Sequence, residues 1–180
     1  MKRLKINKDY LFYGLLIVYL ILISLSLLFR DMINDEALYF HETALLSELI
    51  RSCTWIGNYG VGLHGFLFKI PPAIIFLITG PSVTVVTIYH IILTAIVGVL
   101  FYNLSSNILK NKLYGILSTA ILFTNFHFLL STVTYLREIP SILVILLLFN
   151  NIFNKGNKFT LSFLFLLLLD VKEYIFFVFA

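Results

Sequence analysis

Charge is what this sequence has least of. Asp, Glu, Lys and Arg make up 12% of its 180 residues against 60% hydrophobic ones, and the mean hydropathy is +0.99. A soluble domain of this length cannot bury so much apolar surface, so lipid must be the solvent for most of the chain. Cysteine is almost missing too. The single Cys53 excludes an internal disulfide, so cysteine usage says nothing of the redox compartment. A large excess of one charge sign is also lacking. The basic residues fall in short clusters between apolar runs, where they act as topology signals rather than as a nucleic-acid surface. Internal repeats are absent, as are the matching Gly/Pro-interrupted halves that a transporter would show.

What is there is a series of apolar runs. Residues 11–29 carry no charge, and 19 residues at ~1.5 Å each amount to about one bilayer crossing. The run is too long for the apolar core of a signal peptide, and no small-x-small cleavage site follows. Lys2, Arg3, Lys5 and Lys8 precede it, which places the N-terminus in the cytoplasm and Arg30 outside. Further crossings are predicted over 83–102, 113–130, 141–153 and 159–180, the last interrupted by Asp170, Lys172 and Glu173. Phe66–Thr79 is short and holds Lys69, Pro71 and Pro72. It is predicted to lie in the interface or to re-enter, because a full crossing would put Lys110 and Lys112 outside. The expectation is one all-α polytopic membrane module over 1–180, with five crossings and a long outer loop over 30–82. The richness in Ile, Phe, Asn, Lys and Tyr fits an AT-rich prokaryotic genome, and hence a plasma (inner) membrane. Residues 176–180 stay apolar with no closing turn, so the chain is expected to be a truncated, N-terminal part of a longer protein.

The first long polar interruption, residues 30–51, carries five of the nine acids: Asp31, Asp35, Glu36, Glu42 and Glu48. Asn34 can cap a helix whose first turn holds Asp35 and Glu36, where the helix dipole favours carboxylates. Leu38, Leu45 and Leu49 recur at helical spacing, as do Ala37, Phe40 and Ala44, a pattern that suits a helix lying in the interface. A glycine-rich loop over 57–65 follows. In this topology every acid but Asp9 faces the outer side. Acidic residues obey no strong topology rule, so an outward-facing polar site is the simplest cause.

Three pieces of the chain carry a family resemblance. A basic N-terminus and one helix lead into Asp35-Glu36-Ala37-Leu38-Tyr39. Gly62-Leu63-His64-Gly65 leads to Lys69-Ile70-Pro71-Pro72 and then Gly80-Pro81-Ser82. Arg137-Glu138-Ile139-Pro140 opens a later helix. In order and topology these resemble the N-terminal part of the polyprenyl-phosphate-dependent integral-membrane glycosyltransferases of the GT-C fold, such as the protein O-mannosyltransferases and the lipid A aminoarabinose transferase. Ile70 between Lys69 and Pro71, and Gly65 after His64, depart from the family pattern.

The resemblance implies inverting transfer of a sugar from a polyprenyl-phosphate donor to a lipid, glycan or protein acceptor on the outer face. It makes Asp35 the catalytic base, with Glu36 as an orienting neighbour. Glu138 would supply a second carboxylate, to the acceptor or to a metal. A divalent metal is an open option, with Asp35 and Glu138 as its ligands, though two separated acids make a thin signature. Lys69, Arg137 and Lys172 suit a leaving phosphate, and His64 is a further candidate. Bland alternatives stand beside each: ordinary first-turn acids, a snorkelling Lys69, an Arg137–Glu138 ion pair, and a helix-internal network of Asp170, Lys172 and Glu173. His41, His90 and His127 read as satisfied helix or interface residues, and Trp55 and the tyrosines as interface anchors. Two rival functions remain: a non-catalytic fragment of such an enzyme, and a small transporter or flippase subunit.

Overall fold

The computed structural model describes residues 7–27, 32, 34–53 and 65–171, and among these residues every regular element is a helix. Eight helices follow in order: α1 (Lys8–Leu27), α2 (Asn34–Ser52), α3 (Phe66–Thr79), α4 (Val83–Ile108), α5 (Lys112–Thr124), α6 (Phe126–Val133), α7 (Glu138–Phe153) and α8 (Lys158–Val171). Two of them, α1 and α4, are long and apolar enough to cross a membrane, and α5 with α6 would make a third if counted as one span. Of the five predicted crossings, two or three thus have helices long and apolar enough among the described residues. Part of the predicted 159–180 crossing lies outside them.

The predicted helix over 113–130 is broken. α5 and α6 meet at Asn125 with a bend of 70°. Asn125 is extended at φ −65°, ψ 128°. Its N–H donates back to the carbonyls of Ile121 and Leu122, closing α5, and its side chain accepts from the N–H groups of His127 and Phe128, opening α6. A short amide side chain competes with helical backbone bonding in this way, and the uniformly apolar flanks hid it from a hydropathy argument. α7 also starts three residues before the predicted Ser141. Pro140 sits in its first turn, where a missing N–H costs nothing.

The helices pack with their apolar faces inward and leave a lipid-like surface outside. On α1, Phe12, Leu16 and Ile23 are buried at helical spacing, while Ile17, Val18, Ile21, Leu22 and Leu25 are exposed. α1 runs antiparallel to α4: Phe12 stacks on Tyr102 at 3.9 Å, and the Tyr102 hydroxyl donates to Asp9 at 2.6 Å. Lys112, at the start of α5, closes the same cluster with an ion pair to Asp9. Two glycines allow the close approach of α4 and α5. A Cβ at Gly98 would lie 2.6 Å from Phe123 Cζ, and one at Gly115 would lie 1.9 Å from Ser106 Oγ. Gly98→Val is expected to cost about 1–3 kcal/mol through overpacking against Phe123 and Leu16. Reversible unfolding in detergent micelles measures this, and an unchanged midpoint would show that the helices are not in contact there.

The opposite end of the bundle positions the polar residues. α2 and α3 pack against each other, with the Phe40 and Phe76 rings edge to face at 5.8 Å. Glu42 in the middle of α2 meets Lys69 in the first turn of α3, and Arg51 donates to the Leu77 carbonyl. α3 keeps helical form through Pro71 and Pro72. At 14 residues, roughly 21 Å, it is shorter than the ~20 residues a crossing needs.

Candidate functional site

The first half of α2 decides what this end contains. Successive helix residues point about 100° apart, so Asp35 and Glu36 diverge: Asp35 is exposed, whereas Glu36 is 1% exposed. Residues 36, 39, 43, 46 and 49 share one face. The inward stripe is therefore Glu36, Tyr39 and Thr43 in the first two turns, then Leu46 and Leu49. This corrects the predicted apolar stripe, for Leu38 is 54% exposed and Ser47 is buried. The polar first half has partners in the 134–137 segment to receive it, which outweighs the preference for burying Leu38.

Each inward polar group on α2 is engaged. Glu36 Oε1 accepts from the Tyr135 N–H at 2.5 Å. The Thr43 hydroxyl lies 3.1 Å from the Tyr135 hydroxyl, so Tyr135 is held at both its backbone and its phenol. The Tyr39 ring lies beneath two cations, with Lys69 Nζ 5.1 Å and Arg137 Cζ 5.6 Å from its centre, within cation–π range. Lys69 also pairs with Glu42 at 2.5 Å, their side chains 5% and 14% exposed. Lys69 is thus a buried, paired cation rather than a snorkelling one. Burial pushes the Tyr135 phenol up to about 12, assisted by the Glu42 charge and opposed by its bond to Thr43. Burial raises Tyr39 as well, against the pull of Arg137. Both phenols therefore stay protonated at neutral pH and retain a proton to donate.

Two compartments open here. One, a narrow crevice with a cavity volume of about 20 Å³, has the cations Lys69 and Arg137 in its wall with Tyr39, Tyr89 and Gly65. The other, of about 40 Å³, has Glu36 in its wall with Met32, Thr87, Thr132 and Thr134. Tyr135 and His90 line both, so they form the partition. His90 Nε2 lies 2.8 Å from the Ser131 carbonyl, which only accepts, so Nε2 carries a proton. Glu138 faces a third crevice between α6 and α7, with His127, Ser131 and Phe128.

The structure therefore brings Glu36, Lys69 and Arg137 to one end of the bundle, keeps Glu138 near enough for its charge to act on Tyr39 while it lines the neighbouring crevice, and leaves Asp35 exposed at the start of α2. His64 and Lys172 lie outside the described residues, as do Arg30, Asp31, Trp55 and Glu173. Asp170 is placed at the end of α8, where its carboxylate accepts from the Leu67 N–H. Sequence reasoning named Tyr39 only within the resembling motif and Glu42 only among the acids of residues 30–51, read the tyrosines as interface anchors and His90 as a satisfied helix or interface residue, and passed over Thr43. The spacing of Tyr39 and Thr43 from Glu36 was a usable signal; nothing local ties Glu42 to Lys69. Among the described residues, no three or more His, Cys, Asp or Glu side chains are grouped so as to hold a metal ion. Compared with known proteins, the chain matches no family model, no curated protein and no solved structure.

Proposed function

We propose that this chain carries the outward-facing site of a glycosyl transfer from a polyprenyl-phosphate donor, as the resemblance of its motifs implies. The observation that carries the proposal is the pairing of a cationic crevice, walled by Lys69 and Arg137, with the exposed Asp35 carboxylate in the first turn of α2 at the same end of the bundle. Such a pairing suits a reaction whose leaving group is an anion and whose nucleophile must lose a proton. The lysines Lys110, Lys112, Lys155 and Lys158 fall in the turns that close the opposite end, so the positive-inside rule turns the site outward.

In this scheme the donor phosphate lies against Lys69 and Arg137. The acceptor hydroxyl attacks the anomeric carbon, forming the new C–O bond as the bond to the phosphate oxygen breaks. That electron pair leaves with polyprenyl phosphate, whose charge the two cations offset. The acceptor proton passes to the Asp35 carboxylate. Glu36 acts as a positioning residue that holds the Tyr135 backbone. A metal is no part of the scheme.

Binding of farnesyl phosphate to the chain in nanodiscs tests the cationic compartment, with farnesol and inorganic phosphate as comparisons. Arg137→Gln is expected to weaken farnesyl phosphate binding about 10- to 100-fold, from one charge-assisted hydrogen bond set lost. Equal binding by parent and variant, or equal affinity for farnesol, would remove the phosphate from this compartment.

A further inference from the structure

The N-terminus of α3 lacks a cap of its own. Its first flanking residue is Gly65, in the left-handed region at φ 71°, with no side chain to accept from the first turn. Free N–H groups at a helix start are costly at a membrane boundary, where water is scarce. Here the partner comes from another helix. The Gly65 N–H donates to the Asp170 carbonyl at 2.6 Å, and the Leu67 N–H donates to Asp170 Oδ2 at 3.1 Å. One residue of α8 thus supplies both a backbone and a side-chain acceptor to α3.

The same turn sets both cations of the phosphate compartment. Lys69 lies two residues beyond Leu67. Arg137 packs its stem against Gly65, where a Cβ would approach Arg137 Cδ to 3.3 Å. The spot that receives Asp170 is therefore the spot that leaves room for Arg137 to reach over Tyr39. We propose that Asp170 is a positioning residue for the Lys69–Arg137 pair, acting by capping α3 in trans rather than by touching the substrate. The capping holds whatever ligand the cations take; that this ligand is a lipid phosphate rests on the transfer reading above.

The test uses the full chain in nanodiscs with two readouts: farnesyl phosphate affinity, and amide hydrogen exchange across the first turn of α3. Asp170→Ala removes the side-chain acceptor, whereas Asp170→Asn keeps a neutral one. Asp170→Ala is expected to weaken binding about tenfold and speed exchange at Leu67, while Asp170→Asn stays within about threefold of the parent with α3 protected. The proposal is overturned if Asp170→Asn loses as much affinity as Asp170→Ala with α3 still protected, since charge would then act on the ligand directly. It is also overturned if Asp170→Ala leaves exchange at Leu67 unchanged. A parent that binds no farnesyl phosphate sinks the transfer reading alone, and exchange in Asp170→Ala then decides the capping role by itself.

Discussion

Asp35→Asn is expected to lower sugar transfer by about 10²- to 10⁴-fold, the contribution of one positioned general base. The substitution keeps the shape but replaces the carboxylate by an amide too weakly basic to take the acceptor proton. Stability should move by no more than about 0.5 kcal/mol, because Asp35 is exposed and surface changes of this kind are nearly neutral. That separation distinguishes Asp35 from Glu36. The Glu36 carboxylate is buried and already accepts the Tyr135 N–H, so losing it would disturb the partition between the compartments as well as any chemistry. Equal transfer by parent and Asp35→Asn would remove Asp35 from the mechanism.

Lys69→Met should destabilise the far end of the bundle by about 3–5 kcal/mol, the usual result of removing one partner from a buried ion pair. The lost attraction is the smaller part of that figure. The larger part is the Glu42 carboxylate, left at 14% exposure without its cation. Replacing Glu42 at the same time removes the stranded charge, so Lys69→Met/Glu42→Leu should recover to within about 1 kcal/mol of the parent. Unfolding of the two single variants and the double variant in detergent gives the coupling directly. Additive losses would show that the two side chains do not act as a pair. The double variant also separates stability from binding: it should fold, yet bind farnesyl phosphate more weakly, since one of the two cations is gone.

The parts of this structure that sequence could reveal are those set by local composition. Long uncharged runs gave α1 and α4, because nothing but lipid can surround them. α3 begins and ends where its apolar run does, at Phe66 and Thr79, with Gly80 stopping it at a positive φ of 74°. The short run that Lys69 and the prolines mark also made a full crossing a poor expectation there. Asn125 was harder. A single amide in an apolar run barely changes hydropathy, yet its side chain ends one helix and starts another. The phase of α2 was harder again. Its leucines suggest one inward face, but the packed face is chosen by what waits opposite: the Tyr135 N–H and hydroxyl, Lys69 and Arg137. Those partners come from α3 and from the segment before α7, so Glu42 and Lys69 could be joined only once α2 and α3 were seen side by side. Capping of α3 by Asp170, 103 positions away, is non-local for the same reason.

The measurement that bears most directly on the central claim is transfer itself. Purified chain in nanodiscs is given a radiolabelled polyprenyl-phosphate sugar and membrane acceptors, and label is followed from donor to acceptor. Protection of the Leu67 amide reports in the same sample that the far end is folded. The account predicts transfer by the parent, reduced about 10²-fold or more in Asp35→Asn. A folded parent that binds the donor but moves no label would contradict it.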